Sequence, residues 1–527
     1  MKPIAPLAMV VAALVLLLTI TPSWGQPVCA VPGCNPTVSD ANGNTAGGDL
    51  ALHLVEAGGG LGNTAFGLQA LWHNTTGIWN TASGNNALST NTTGSYNTAS
   101  GLAALLSNTT GSNNTATGVN ALISNDAGSY NVAYGYQSLF NNTTGINNTA
   151  TGTNALYSNT TASYNTATGL QALYSNTTGG GNTAIGANAL YSNNADDNTA
   201  TGALALFSNT TGTNNVANGV SALQANITGT ENTATGAFAL TNNTTGADNT
   251  ASGAFALSFN TIGGSNTATG VAALEQNTTG NSNTAMGVDA QVFNQTGSAN
   301  TAMGMNALAN NTDGSNNTAV GFKALKKSLG NKNIGIGYQA GATLTSGNNN
   351  IYIGHSGNGD ESQTIRVGTA QTSTFIAGIN TAGVSGTAVV IDANGQLGIT
   401  LSSARYKQDI VPMGSQSAGV LQLRPVTFAY KNDAPGATHY GLIAEEVATV
   451  YPELVTHTAT GEVQGVRYQE LIPMLLNELQ HEHQALQHEH QAFEQQRAEM
   501  ATLKQELSEL GMLRKELTEL RALVGSR

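Results

Sequence analysis

Apolar and polar positions between residues 63 and 354 recur with a single period. Asn63-Thr64-Ala65-Phe66-Gly67 returns as Asn80-Thr81-Ala82-Ser83-Gly84, then at Asn97, Asn114, Asn131, Asn148, Asn165 and Asn182, seventeen residues apart each time. A step of sixteen leads to Asn198. Seventeen resumes through Asn215, Asn232, Asn249, Asn266, Asn283, Asn300 and Asn317, a second step of sixteen reaches Asn333, and a last seventeen reaches Asn350. The template is N-T-A-x-G-x-x-A-L-x-x-N-T-T-G-x-x. Ala65, Ala70 and Leu71 mark the inward positions of one unit, and Ala167, Ala172 and Leu173 those of a later one. Helix-pair repeats need about 34 residues. Seventeen suits one coil of a β-solenoid, with two short strands and two turns. Asn-Thr-Thr-Gly supplies turn chemistry, because Asn and Gly tolerate positive φ. Three small or medium apolar residues per coil make a thin core for one chain, so several chains associating along the axis would bury more surface.

The pattern changes twice after the array. Residues 355–401 are β-rich, with short strands expected at Thr374–Gly378 and Ala388–Asp392 and a hairpin turn at Asn394-Gly395. From Ser402 the charges return. Val426 to Tyr430 alternates as a half-buried strand. Ile443, Val447 and Val450 have helical spacing up to Pro452, and Val463 to Tyr468 is a second strand. A long helix starts near Gln469, with Pro473 in its first turn. Leu479, Leu486, Phe493, Met500 and Leu507 then repeat every seven residues as a coiled-coil seam, with His483, His490, Arg497 and Lys504 four residues after the first four. The chain thus divides into an export signal (1–25), a linker with two cysteines (26–62), the repeat array (63–354), a neck (355–401), a small α+β domain (402–475) and a coiled coil (476–527).

Composition narrows the function. Charged residues make up 9% of the chain, against about 25% in ordinary soluble domains. The net charge is −13 and basic residues do not cluster in the repeats, so no stripe exists to neutralise a phosphate backbone and nucleic acid is not an expected partner. Acidic residues in the array are scarce and irregular, against the paired carboxylates of glycoside hydrolysis; Asp196-Asp197 reads as a solvated turn. Lys2, the apolar run Ala8–Ile20 and Pro22-Ser23-Trp24-Gly25 read as a cleavable export signal, with an uncleaved anchor as the alternative. After signal removal no stable membrane span is expected. Export favours a local Cys29–Cys34 disulfide over a metal site, since no His lies near. Sequons such as Asn74-Thr75-Thr76 follow from the template, and a turn-and-ladder role for Asn is the preferred reading.

Two resemblances extend these readings. With its small-apolar-Gly motifs, Asn333-Ile334-Gly335-Ile336-Gly337 and Asn350-Ile351-Tyr352-Ile353-Gly354, the array resembles the left-handed parallel β-roll heads of trimeric autotransporter adhesins, whose repeat is shorter. Ser402-Ser403-Ala404-Arg405-Tyr406-Lys407-Gln408-Asp409-Ile410 resembles the opening of the intramolecular chaperone domain of endosialidase tail spikes, the S74 peptidase family. Leu423 to Phe428, Gly441 to Val447, Pro452 to Val455 and Val466 to Tyr468 follow in the family's order. That resemblance implies a domain that trimerises, helps an upstream fibre fold and is then released by one autoproteolytic cut. It places Ser402 as nucleophile, Lys407 as general base and the scissile bond between Leu401 and Ser402. Many members carry Asp after the serine; here it is Ser403.

Geometry constrains such a pair. Residues five apart lie about 140° apart on a straight helix and on opposite faces of a straight strand. Ser402 and Lys407 can therefore meet only across a bend or between chains. A lysine base must be neutral, and Arg405 is the nearby cation in sequence. In a trimer His483 and His490 would form imidazole rings able to bind an anion or metal; a duplicated heptad gives the same pattern, and no metal or cofactor is assigned. The expected protein is a mostly β, homotrimeric, secreted or cell-surface fibre that binds a surface glycan or other cell-surface ligand and processes itself. The alternative is a structural adhesin whose C-terminus stays attached as a clamp.

Overall fold

The structure is a computed structural model that describes residues 38–40, 42–53, 60–376, 388–392, 395–458 and 460–525. The export signal and the Cys29–Cys34 pair lie outside the described residues. The chain forms two units, Met1–Phe375 and Ile376–Arg527.

The first unit is a parallel β-solenoid. Each coil places its Thr-Ala-x triplet as one three-residue strand, such as Thr81–Ser83 and Thr98–Ser100. Successive strands pair in parallel and in register, Ala82 opposite Ala99 and Ala99 opposite Ala116. The sheet has 21 strands. Its first, Val38–Ser39, runs antiparallel to Thr45–Gly47 and closes that end. The stack extends beyond the expected array at both ends. Asn44-Thr45-Ala46 forms a coil nineteen residues before Asn63, and Ile365–Val367 adds a strand after Ile351–Ile353.

Each coil has one strand, not the expected two. On the Ala-Leu side, alternate residues occupy the left-handed region, as at Asn86 (φ 58°) and Leu88 (φ 50°). That alternation breaks a strand, yet it keeps the backbone paired between coils. Asn86 N–H donates back to the Leu68 carbonyl at 2.9 Å, and Leu88 N–H donates forward to Ala104 at 3.0 Å. The glycine after each strand permits the stacking: at Gly84, φ is +140° and a Cβ would lie 2.4 Å from the Gly101 carbonyl oxygen.

The core mixes three apolar residues with two amides in each coil. The Ala, Ala and Leu positions are fully buried, as expected, and each buried Leu contributes about 1.5–3 kcal/mol. Two asparagines per coil are buried with them. In one column the Asn80 side-chain oxygen accepts the Asn97 backbone N–H at 2.9 Å, and the Asn80 amide donates to the Gly94 carbonyl at 2.9 Å. In the other column Asn91 donates to Asn74 at 2.7 Å and Asn108 donates to Asn91 at 2.7 Å. A buried polar group is costly unless paired. Here each coil pairs with the next, so identical coils satisfy one another.

Departures from the template are compensated locally. The coil from Asn182 lacks one residue, and the Asn194 side-chain oxygen accepts the Thr177 and Thr178 N–H groups at 2.9 and 3.0 Å, replacing a backbone carbonyl. Asp196 and Asp197 are exposed there, and Asp196 accepts the Gly180 N–H at 2.7 Å. Phe140, Tyr157, Tyr174, Tyr191 and Phe207 stack coil upon coil, with centroids 5.0–5.1 Å apart. The array's lysines are not scattered: Lys323, Lys326, Lys327 and Lys332 share one coil, and no lysine or arginine occurs from Asp40 to Phe322. They form a single belt, with no basic stripe along the axis.

The last coils are capped. Tyr352 takes an alanine position and is fully buried. Gly335 and Gly341, where the template has Ala and Leu, make the room: a Cβ on Gly341 would lie 2.7 Å from the Tyr352 ring. Arg366 and Glu361 pair at 2.7 Å beside it. Burial tends to raise the Glu361 carboxyl, but hydrogen bonds from Arg366 and the Asn358 N–H outweigh it and hold it below its usual value.

Thr374 to Ile376 forms no strand, and Ala377 and Gly378 lie outside the described residues. In the second unit Val390–Ile391 pairs antiparallel with Leu397–Gly398, while Asn394 of the expected turn lies outside the described residues. Val426–Phe428 pairs with His439–Gly441, and Val455–His457 with Val463–Val466. Helix α1 spans Ala444–Val450 and helix α2 spans Tyr468–Val524 without a break at 475. Pro473 therefore lies in the second turn of α2 rather than the first. Val420, Val447, Tyr451, Leu454, Val455, Leu471 and Met474 form this unit's small core. Beyond it α2 is exposed, with Leu479, Leu486, Phe493, Met500 and Leu507 each 59–69% accessible.

Candidate active site

Ser402 and Lys407 do meet within one chain. A single 3-10 turn, Ala404–Tyr406, follows Ser403, with Tyr406 N–H on the Ser403 carbonyl at 3.0 Å and Lys407 N–H on Ala404 at 3.1 Å. The turn is the bend that five-residue spacing requires. It brings the Lys407 Nζ to 3.5 Å from the Ser402 Oγ, donating at the outer limit of a hydrogen bond.

Every residue from Leu401 to Ile410 is exposed. The two side chains are neighbours, and both face solvent in the single chain. Arg405, the cationic neighbour expected from sequence, stacks its guanidinium over the Tyr406 ring at 4.9 Å. Sequence reading did not single out Tyr406.

The segment after this opening is tied to the helices. It is a 3-10 segment, Gly414–Gln422. Its buried Ser417 donates to Glu478 and receives the Asn477 amide at 2.6 Å, while that amide also donates to the Gly414 carbonyl at 2.7 Å. The Tyr451 hydroxyl donates to Gln416 at 3.0 Å, and the Tyr468 hydroxyl accepts the Leu442 N–H at 2.9 Å. Arg424 donates through Nε to Glu446 at 3.2 Å, and that hydrogen bond holds the Glu446 carboxyl below its usual value. These contacts join segments 22 to 63 residues apart, which no local sequence pattern reveals.

Among the described residues no cluster of three His, Cys, Asp or Glu is arranged to hold a metal. His481 lies 3.7 Å from Glu478, and His483 pairs with Gln487 at 2.9 Å. Among the described residues, no helix is long and apolar enough to cross a membrane.

No curated protein and no solved structure matches the chain. The family model Peptidase_S74, described as chaperone of endosialidase, matches residues 402–456, from Ser402 through the first two residues of the strand Val455–His457. The S74 family is a peptidase family of autoproteolytic chaperone domains that act in trimer assembly. After a parallel β-solenoid of about 19 turns, residues 402–456 of the chain are thus similar to the chaperone-of-endosialidase domain of the S74 family.

Proposed function

We propose that the chain is a secreted or surface-displayed fibre whose C-terminal domain gathers three copies, guides the solenoids into register and then releases itself by a cut between Leu401 and Ser402. The approach of Lys407 to Ser402 across the 3-10 turn carries this reading. In the step, Lys407 takes the Ser402 hydroxyl proton as Oγ adds to the Leu401 carbonyl carbon. The Leu401–Ser402 C–N bond breaks, and the proton passes to the departing amine. Water then hydrolyses the ester, leaving a Leu401 carboxylate and a free Ser402 α-amine.

Lys407 is exposed in the single chain, so assembly must supply its burial. Desolvation disfavours the ammonium form and delivers the base. This couples the cut to completed folding. The exposed heptad face of α2 is the natural assembly seam, with His483, His490, Arg497 and Lys504 as polar layers that fix register at a cost in stability.

Intact mass under denaturing conditions tests the proposal. Wild type should yield a fragment of residues 402–527, and both Ser402→Ala and Lys407→Ala should remain whole. A folded, trimeric wild type that stays uncut would leave a structural fibre with a permanent clamp.

A further inference from the structure

We infer that the outer face of the long sheet is where the solenoids of three copies pack on one another, an inference that rests on the three-chain assembly proposed above and names its surface. In each coil the first Asn, the strand alanine and the Ala-Leu pair point inward. The residues two, four and six places into the template point outward along the strand and past its glycine. Across the coils that start at Asn63 through Asn333, none of the three columns holds a charged residue. The first is Thr, Val or Ile throughout. The third is mostly apolar, with Leu102, Leu170, Val220, Val271, Val288 and Met305 each 44–50% exposed. In the middle column Tyr134, Ile185, Met286, Met303 and Ile336 are 39–46% exposed.

Charge borders the face rather than entering it: Asp289 and Lys323 come directly after the third column, Glu275, Lys326 and Lys327 after the Ala-Leu pair, and the remaining charges of these coils lie on the Thr-Thr-Gly side or the turn after it. Depletion of charge at the centre of a face, with polar residues at its borders, is the compositional signal of a protein interface.

The length of the face fits further copies of the array. Coils about 4.8 Å apart make the face about 80 Å long and, over three outward residues, about 14 Å wide, on the order of 1,100 Å². Three copies share it between two neighbours, about 550 Å² each, so the face supplies the larger part of the about 800 Å² per partner of a standard interface. The charge-free face runs through consecutive coils at one repeat distance, so an identical array can match it coil for coil, which a compact globular partner cannot.

Hydroxyl-radical footprinting of the full-length wild-type protein, with native mass from light scattering on the same sample, tests this. The expected result is a mass of three chains, with Leu170, Met286, Met303 and Met305 at least five-fold less reactive than in the denatured chain. Tyr130 and Tyr164, 60% and 66% exposed on the turn side, should stay reactive. Three chains with reactive Met303 and Met305 would overturn the assigned face and leave the three-chain reading standing. A single-chain mass would overturn both. A Leu170→Lys/Val220→Lys/Val271→Lys variant adds a second readout. It should expose Met286 and Met303 to the radical, whereas Thr110→Lys/Thr211→Lys/Thr245→Lys should not; equal footprints would contradict the assignment.

Discussion

The side-chain oxygen of Asn165 accepts the backbone N–H of Asn182, one coil further on, at 3.0 Å. The same Asn165 amide donates to the Gly179 carbonyl of its own coil at 2.9 Å. One side chain thus closes its own turn and fastens the next coil. A chain with few bulky apolar residues holds together because every coil repeats that arrangement. The pairing is intramolecular, so thinness of the apolar core does not by itself demand association.

Asn165→Leu should therefore destabilise the array although it adds apolar volume. It strips the partner from the buried Asn182 N–H, at about 1–3 kcal/mol, and takes one of two donors from the Gly179 carbonyl, which keeps the Asn176 amide at 2.8 Å. Hydrogen exchange read coil by coil should show the loss centred on residues 165–198. Unchanged protection there would contradict a structural role for the ladder.

The two glycine columns should respond differently. Gly219 has φ +147°, and a Cβ would lie 2.4 Å from the Gly236 carbonyl oxygen. Gly219→Ala should cost about 2–5 kcal/mol through left-handed strain and overpacking. Gly229→Ala should cost less, because Ala162 already occupies the equivalent position near the end of its coil, buried and with its carbonyl accepting the Asn148 amide at 2.9 Å. Denaturant unfolding of both variants orders them.

The cap should be acid-sensitive. Asp360 accepts hydrogen bonds from the Thr345 hydroxyl and from the Ser346 hydroxyl and N–H, standing where the next coil's carbonyl would be. The Thr345 bond, then the Ser346 hydroxyl bond, hold its carboxyl below the usual value. A depressed folded pKa contributes stability above the ordinary Asp value of about 3.9, lost as pH falls through the folded pKa. Amide exchange in residues 341–362 should accelerate below about pH 4 in wild type, and Asp360→Ala should show that fraying already at neutral pH.

Tyr352→Ala should open the end of the stack. It leaves a cavity between Gly335, Gly341 and Leu325 and should cost about 3–5 kcal/mol locally. Thermal melting followed by exchange should place the loss in the last coils, with coils near Asn165 unaffected.

Much of this organisation was legible in the sequence. Asn-Thr-Ala at a period of seventeen identifies coils, and Ala65, Ala70 and Leu71 identify their interior. The single strand per coil was not legible, because left-handed φ at Asn86 and Leu88 has no signal in an Ala-Leu pair. Nor was the first coil, whose nineteen-residue step hides Asn44-Thr45-Ala46, or the plug, which exists only as a joint change at Gly335, Gly341 and Tyr352. Ser402 and Lys407 were legible as a pair through the order of motifs around them. The turn at Ala404–Tyr406 that joins them was not, since a 3-10 turn this short carries no periodicity.

Refolding the full-length chain at a series of dilutions, with the fraction cut before Ser402 followed over time, addresses the central claim that assembly completes the dyad. The account predicts a rate that climbs steeply with chain concentration and a cut that appears only with the three-chain species. A concentration-independent rate in single chains, or no cut in fully assembled protein, would contradict it.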